Sequence, residues 1–337
     1  MRLERLGQEN YRLETVYFGG GTPSLLSPGQ LARLVAAVTS SMPGAGAIEI
    51  SMEGNPDSLT LEGIRGYVGG GINRLSVGVQ SFDDASLRRL GRLHTAAEAE
   101  ATVACARAAG VSNLSLDLMY GLPGGSGSQE LRSLERAIQL GVEHISWYNL
   151  TLADTTELGR NVTDGSEVMP DEDEVLATMR EGWRMLAAAG YVHYELSNFA
   201  LPGFECRHNM GYWQYRDYVG LGLGASGCLQ GQRWTNVSQM GAFTAAVQEG
   251  ILPTDTTESL SKRRREGEYA MLRMRLPVIG LELGAFHELF GEDVLTVFGE
   301  ALTELEQENL IVVGSDAIVC TQRGLELNNV VAEALIA

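Results

Sequence analysis

Cysteine is scarce in this chain. Its 337 residues include four, Cys105, Cys206, Cys228 and Cys320, and no two lie close together. That spacing excludes a CxxC zinc or redox motif and offers no disulfide framework, so each reads as a free thiol in a reducing compartment. Positive charge is scarce as well: 25 lysines and arginines stand against 43 aspartates and glutamates, a net charge of −18. An acidic chain repels phosphate backbones, which argues against nucleic acid as a partner. The one basic cluster, Lys262-Arg263-Arg264-Arg265, is followed by Glu266 and Glu268 and reads as a solvated helix face. No apolar run reaches the roughly 18 residues a membrane span needs. The charged start, Met1-Arg2-Leu3-Glu4-Arg5-Leu6, has no apolar stretch of the kind a signal peptide carries. A cytoplasmic protein that is not an integral membrane protein is expected.

What the chain does have is a 44% hydrophobic content, enough for one large domain with a smaller one appended. Over the first 200 or so residues one pattern recurs. A short apolar, β-rich run ends in glycine or polar residues, and an amphipathic helical stretch follows. The runs are Thr15–Phe18, Ile48–Met52, Arg74–Val79, Asn113–Met119, His144–Leu150 and His193–Leu196. Helical periodicity marks Pro28–Ser40, Asp84–Ala109 and Ser128–Gln139, and Gly110, Gly141 and Gly190 follow helix ends. Strand–helix alternation predicts an α/β fold with parallel strands joined by crossover helices. Both faces of such a sheet are ordinarily covered, and Val16–Phe18 and Leu114–Leu118 read as apolar strands of that kind. A Rossmann fold and a barrel both satisfy the pattern, but no GxGxxG opens the first unit, which argues against dinucleotide binding.

In either architecture the chemistry belongs at the C-terminal ends of the strands. There the sequence puts Gly19-Gly20-Gly21-Thr22-Pro23, Glu53-Gly54-Asn55-Pro56, Gln80-Ser81-Phe82, Tyr120-Gly121-Leu122-Pro123 and Asn149. Five such ends in series read as one mouth lined for a ligand. The glycine run is not a P-loop, because no Gly-Lys-Ser/Thr follows it. Asp117, inside an apolar strand, needs a partner if it is buried. Arg92, in Arg88-Arg89-Leu90-Gly91-Arg92, fits a pocket cation or a surface one. Beyond Tyr218 the character changes. Helical stretches Ser261–Met274 and Asp293–Glu308 precede a hairpin, Leu310–Val313 and Ala317–Thr321, resembling a winged-helix module.

Several of these segments resemble, in order and spacing, the HemW and oxygen-independent coproporphyrinogen oxidase (HemN) group of radical S-adenosylmethionine (SAM) proteins. They are Tyr17-Phe18-Gly19-Gly20-Gly21-Thr22-Pro23-Ser24, Glu53-x-Asn55-Pro56, Leu75-Ser76-x-Gly78-Val79-Gln80-Ser81-Phe82 and Asp117-Leu118-x-Tyr120-Gly121-Leu122-Pro123. The resemblance runs from Thr15 nearly to the C-terminus. It implies a partial (β/α)6 barrel over residues 1–217 and a small α+β, winged-helix-like C-terminal domain over 218–337. It further implies a SAM pocket in which Gly20, Gly21 and Thr22 hold the methionine amino group and Glu53, Gln80, Arg92 and Asp117 complete the site. Carboxylates and carbonyls suit an ammonium and an arginine suits a carboxylate, so the chemistry agrees.

A second segment, Arg207-His208-Asn209-Met210-Gly211-Tyr212-Trp213, resembles the HNxxYW motif that separates HemW from the oxidase. It implies haem handling by His208, Asn209, Tyr212 and Trp213, with His208 as the iron contact and Cys206 as a second candidate. Imidazole and thiolate both ligate haem iron, and aromatic rings suit a flat macrocycle. The implied role is a haem chaperone that passes haem to haem-dependent membrane proteins. The alternative is the enzyme, oxygen-independent coproporphyrinogen III dehydrogenase. A third reading is a cluster-less haem-storage or regulatory protein.

The chain departs from the group at one point. Members carry CxxxCxxC, three thiolates for a [4Fe–4S] cluster that chelates SAM, and no such motif occurs here. The resemblance thus predicts an N-terminally shortened chain that lacks the first barrel strand, with Arg2–Asn10 as a helical remnant. As encoded, such a chain is expected to perform no radical chemistry.

Overall fold

The computed structural model describes Leu6, residues 11–153 and residues 155–336. The expected helical segment Arg2–Asn10 lies, Leu6 apart, outside the described residues. The chain divides into two compact units, Met1–His208 and Asn209–Ala337.

The first unit is built on a seven-stranded sheet curled into a half-barrel. Its strands are β1 (Leu13–Phe18), β2 (Gly44–Gly54), β3 (Arg74–Gln80), β4 (Leu114–Tyr120), β5 (His144–Asn149), β6 (Val192–Glu195) and β7 (Asn198–Ala200), in the order β1-β2-β3-β4-β5-β7-β6. The first five are parallel, as the alternation predicts. The sixth does not join them directly. Strand β7 inserts between β5 and β6, antiparallel to both, so the barrel ends in a tight hairpin. The helical stretch expected over Asp84–Ala109 is two helices, Asp84–Arg89 and Ala96–Ala108. A break comes at Gly91, whose φ is +67°. Thr95 restarts the helix with a capping box to Glu98.

The sheet also differs from the expectation of two apolar faces. Its convex face is apolar: Ile50, Met52, Leu75, Val77, Leu114, Leu116, Leu118, Ile145 and Trp147 are buried. They pack with Leu31, Ile64, Val103, Leu134 and Leu186 of the covering helices in one core. The alternate residues of the same strands are polar and line the concave face. Register sets Glu53, Ser76, Ser115 and His144 side by side across four strands. The physical reason is the two-residue period of a strand: Leu114-Ser115-Leu116-Asp117-Leu118 sends its leucines outward and its polar side chains inward. A half-barrel whose interior receives a ligand needs polar groups there.

The second unit has a three-stranded antiparallel sheet of β8 (Ser226–Leu229), β9 (Gln232–Asn236) and β10 (Thr254–Ser259), ordered β10-β9-β8. Helices Lys262–Arg273, Leu283–Phe290, Val294–Gln307 and Asn328–Ile336 follow. With them comes a small sheet in which β13 (Ala317–Cys320) lies between β11 (Leu281–Glu282) and β12 (Ile311–Val313). Tyr269, Phe286, Phe290, Phe298, Leu302 and Ile318 form its core. The hairpin and helix pattern agrees with the winged-helix-like reading. The basic cluster is a charged helix face: Lys262 pairs with Glu292 and Arg264 with Glu258.

Candidate functional site

The mouth of the half-barrel gathers most of the residues read as a SAM pocket. After β1, Gly20 and Gly21 adopt φ of +79° and +70°, in the left-handed region that glycine enters without strain. Gly19 is constrained differently: a Cβ there would lie 2.7 Å from the Tyr17 ring and 3.2 Å from Glu53 Oε1. Thr22 precedes the short 3-10 helix Pro23–Leu25 and makes no side-chain cap there. Glu53, at the end of β2, accepts a hydrogen bond from the Tyr17 hydroxyl at 2.6 Å. Gln80 ends β3 in a left-handed conformation, φ +68°, and its Oε1 accepts from the Tyr148 hydroxyl at 2.7 Å.

Asp117 finds the partners its burial demands. Its Oδ1 accepts from Ser146 at 2.8 Å and from Ser76 at 3.1 Å. Burial raises its pKa, and Ser146, Arg74 and Ser76 oppose the rise. Arg92 is half-buried, and its field, with those of Asp117 and Glu53, reaches the Tyr148 hydroxyl. Below the mouth, Glu130 of helix Gly127–Gln139 accepts the backbone N–H groups of Gly121 and Leu122 at 3.0 and 2.7 Å, pinning that part of the rim.

Of the second group, Cys206 and His208 lie in the same unit. His208 stacks on Tyr17 with ring centroids 4.9 Å apart and planes 19° from parallel. Its Nδ1 is 2.8 Å from the Thr15 hydroxyl. Burial pushes its pKa down to about 4, with Glu49 opposing and Arg74 assisting, so the imidazole is neutral at neutral pH. Cys206 is fully buried. Its thiol donates to Glu49 at 3.6 Å and its N–H to the Tyr194 hydroxyl at 3.3 Å. Asn209, Tyr212 and Trp213 belong to the second unit. There Tyr212 meets Tyr218 edge-on at 4.8 Å, and the Arg275 guanidinium lies 4.4 Å over the Trp213 ring. The HNxxYW-like helix, Arg207–Trp213, therefore carries the boundary between the units.

Sequence reasoning missed the residues that knit these groups together. Tyr17 touches both: its hydroxyl holds Glu53 and its ring holds His208. Tyr148, Glu49, Arg74, His144 and Tyr194 were also passed over. His144 is buried, with Nδ1 2.7 Å from the Ser115 hydroxyl and Nε2 2.8 Å from that of Tyr194, and burial holds its pKa well below the usual value. Arg74 is 2% exposed and its Nε has no hydrogen-bond partner. The available signal was a polar residue at every second position of strands that otherwise read as apolar.

Besides haem, SAM and a [4Fe–4S] cluster are implied, and of these two the residues suit only SAM. Glycine backbone, carboxylates, an amide and an arginine suit the amino and carboxylate groups of SAM. The cysteines do not suit a [4Fe–4S] cluster. Cys105 is on a covering helix, Cys206 is in the interior, and Cys228 and Cys320 are in the other unit. Among the described residues no group of three or more His, Cys, Asp or Glu could hold a metal ion.

Comparison with known proteins agrees with this arrangement. Residues 1–137 match the radical SAM superfamily and residues 260–327 the HemN C-terminal domain. The haem chaperone HemW of Lactococcus lactis is 35% identical over 328 residues, covering 96% of this chain and 85% of that protein. HemW of Escherichia coli is 41% identical over 215 residues, 64% of this chain and 56% of its own. Among solved structures, coproporphyrinogen III oxidase (HemN) from Escherichia coli has the same fold, with a TM-score of 0.83 over 99% of this chain and 82% of its own at 21% identity. With a mixed sheet curled into a half-barrel, a HemN-type C-terminal domain and this likeness over nearly its whole length, the chain belongs to the HemW haem-chaperone family of radical SAM proteins.

Proposed function

We propose that this protein binds haem through His208 and hands it to haem-requiring membrane proteins, with a SAM pocket at the mouth of the half-barrel. The observation that carries the reading is the state of His208. A haem-iron ligand must be a neutral imidazole with a fixed ring, and here burial favours the neutral form while Thr15 and Tyr17 fix the ring.

In the SAM pocket, Glu53 and the backbone of Gly20, Gly21 and Thr22 would hold the ammonium, and Arg92 the carboxylate. Gln80 and Asp117 would complete the wall. SAM supplies a 5′-deoxyadenosyl group in radical chemistry, but the described residues do not hold a cluster, so no step is assigned to it. Binding and transfer need no turnover. The oxidase alternative shares the mouth segments and the fold but not the HNxxYW-like segment, and fold alone does not carry chemistry. No helix among the described residues is long and apolar enough to cross a membrane. The reading is of a cytoplasmic carrier that meets its acceptors at the membrane surface.

The test is a titration with ferric haem followed at the Soret band. The His208→Ala variant should lose the wild-type band shape and bind more weakly. An unchanged spectrum and affinity would remove His208 from the site.

A further inference from the structure

We infer that Glu49 is the positioning residue of His208, a buried carboxyl that fixes the start of the Arg207–Trp213 helix against the half-barrel; the inference rests on the haem reading above. Glu49 lies on the concave face of β2 at 7% exposure. Its two oxygens collect four donors. Oε2 accepts the Arg207 N–H at 2.9 Å, and Oε1 accepts the His208 N–H at 3.1 Å, the Ser51 hydroxyl at 3.2 Å and the Cys206 thiol at 3.6 Å. Two of these are consecutive backbone groups, one of them that of His208 itself. The other end of the same residue, its ring, is held by Thr15 and Tyr17 of β1. Backbone and ring are thus fixed from adjacent strands.

Burying an acidic group is unfavourable until its partners offset it, and here those partners are the backbone N–H groups that open the helix, which an apolar side chain would leave unsatisfied. The site also contains Arg74, buried and with an unpartnered Nε, whose field and that of Glu49 both act on His208. The chain keeps a carboxyl and a guanidinium inside the half-barrel next to the residue that would meet iron. An outer-shell group usually orients a metal-binding imidazole through its second ring nitrogen; here Thr15 takes that place and Glu49 acts on the same residue through its backbone.

The amide of Glu49→Gln keeps one acceptor and turns an NH2 toward the other backbone N–H, so one of the two anchoring bonds must break. In the full chain, this variant should fold, weaken ferric haem binding by about 10- to 100-fold and take on the Soret band of His208→Ala. Added imidazole should restore the band in both variants. In haem-free protein, the ring-proton shifts of His208, set by the Tyr17 ring current, should move toward those of an unstacked histidine.

If Glu49→Gln keeps the wild-type Soret band and the His208 ring shift, the inference falls and the haem reading stands. If His208→Ala leaves the Soret band unchanged, the haem reading falls, and the ring shift alone decides whether Glu49 places His208. Should Glu49→Gln fail to fold beside the buried Arg74, the double variant Glu49→Gln/Arg74→Gln removes the unbalanced cation, and the same two spectra decide.

Discussion

Haem binding through His208 should be almost independent of pH where an ordinary histidine would lose its iron to protons. A solvent-exposed imidazole titrates near 6.5, so at pH 6 roughly a quarter of it is neutral and at pH 5 about 3%. Competition with protons would then weaken iron binding about fourfold and about thirtyfold. The buried His208, titrating at about 4, is still about 90% neutral at pH 5. Its iron affinity should therefore change by less than about twofold between pH 8 and pH 5. The sign follows from burial, which penalises the charged form and moves the whole titration downward. The assay is a ferric haem titration at several pH values, with His208→Ala measured in parallel to subtract the titration of haem itself. A thirtyfold loss in the difference by pH 5 would refute the claim that His208 binds from its buried, stacked position. It would mean that the ring swings into solvent to reach haem.

Further outcomes follow from the same geometry. Glu53→Gln should weaken SAM binding in calorimetric titration by about tenfold or more, the worth of one charge-assisted hydrogen bond, while leaving the unfolding midpoint near wild type; equal affinity would take Glu53 out of the pocket. A Cβ on Gly182 would lie 2.4 Å from Trp147 Nε1, so Gly182→Ala should cost about 1–3 kcal/mol in urea unfolding, and a neutral result would mean helix Glu172–Ala188 is not seated on Trp147 as described. His193, stacked on Phe199 with ring centroids 4.2 Å apart, has its pKa lowered by burial to about 4. Its contribution to stability is complete above about 6.5 and is lost as the pH falls toward 4, about 2 kcal/mol of it by pH 5. In His193→Phe the drop in unfolding free energy between pH 7 and pH 5 should shrink by that amount. An unchanged drop would show that His193 is solvated. The raised carboxyls Asp117 and Glu130 act in the opposite direction, which is why the variant is compared with wild type.

The strands, the covering helices and the mouth motifs were legible because each is local. Leu75, Val77 and Val79 announce a strand, and Gly19-Gly20-Gly21 announces a turn at its neighbour's end. Helix and strand periods do not announce partnerships across the chain. Glu49 meets Arg207 and His208 only because β2 and the segment after β7 are folded onto one another, and nothing near Ile48-Glu49-Ile50 marks that carboxyl as different from a surface one. Arg74 at the start of β3 and His144 at the start of β5 read as strand edges, yet both are buried on the concave face. The inward alternation of Ser115 and Asp117 was visible, but the general habit of parallel sheets to be apolar on both faces masked it. Strand β7, Asn198-Phe199-Ala200, is too short for its period to register.

Tyr17 is a party wall. Because one side chain holds Glu53 by its hydroxyl and His208 by its ring, the surroundings of these two residues cannot be rebuilt separately. A redesign that trades Glu53 for another group shifts the phenol and, with it, the surface on which the imidazole rests. Changes at 53 and 208 should thus fail to sum, and a sequence drifting at one will be confined at the other by a residue that does the work of neither.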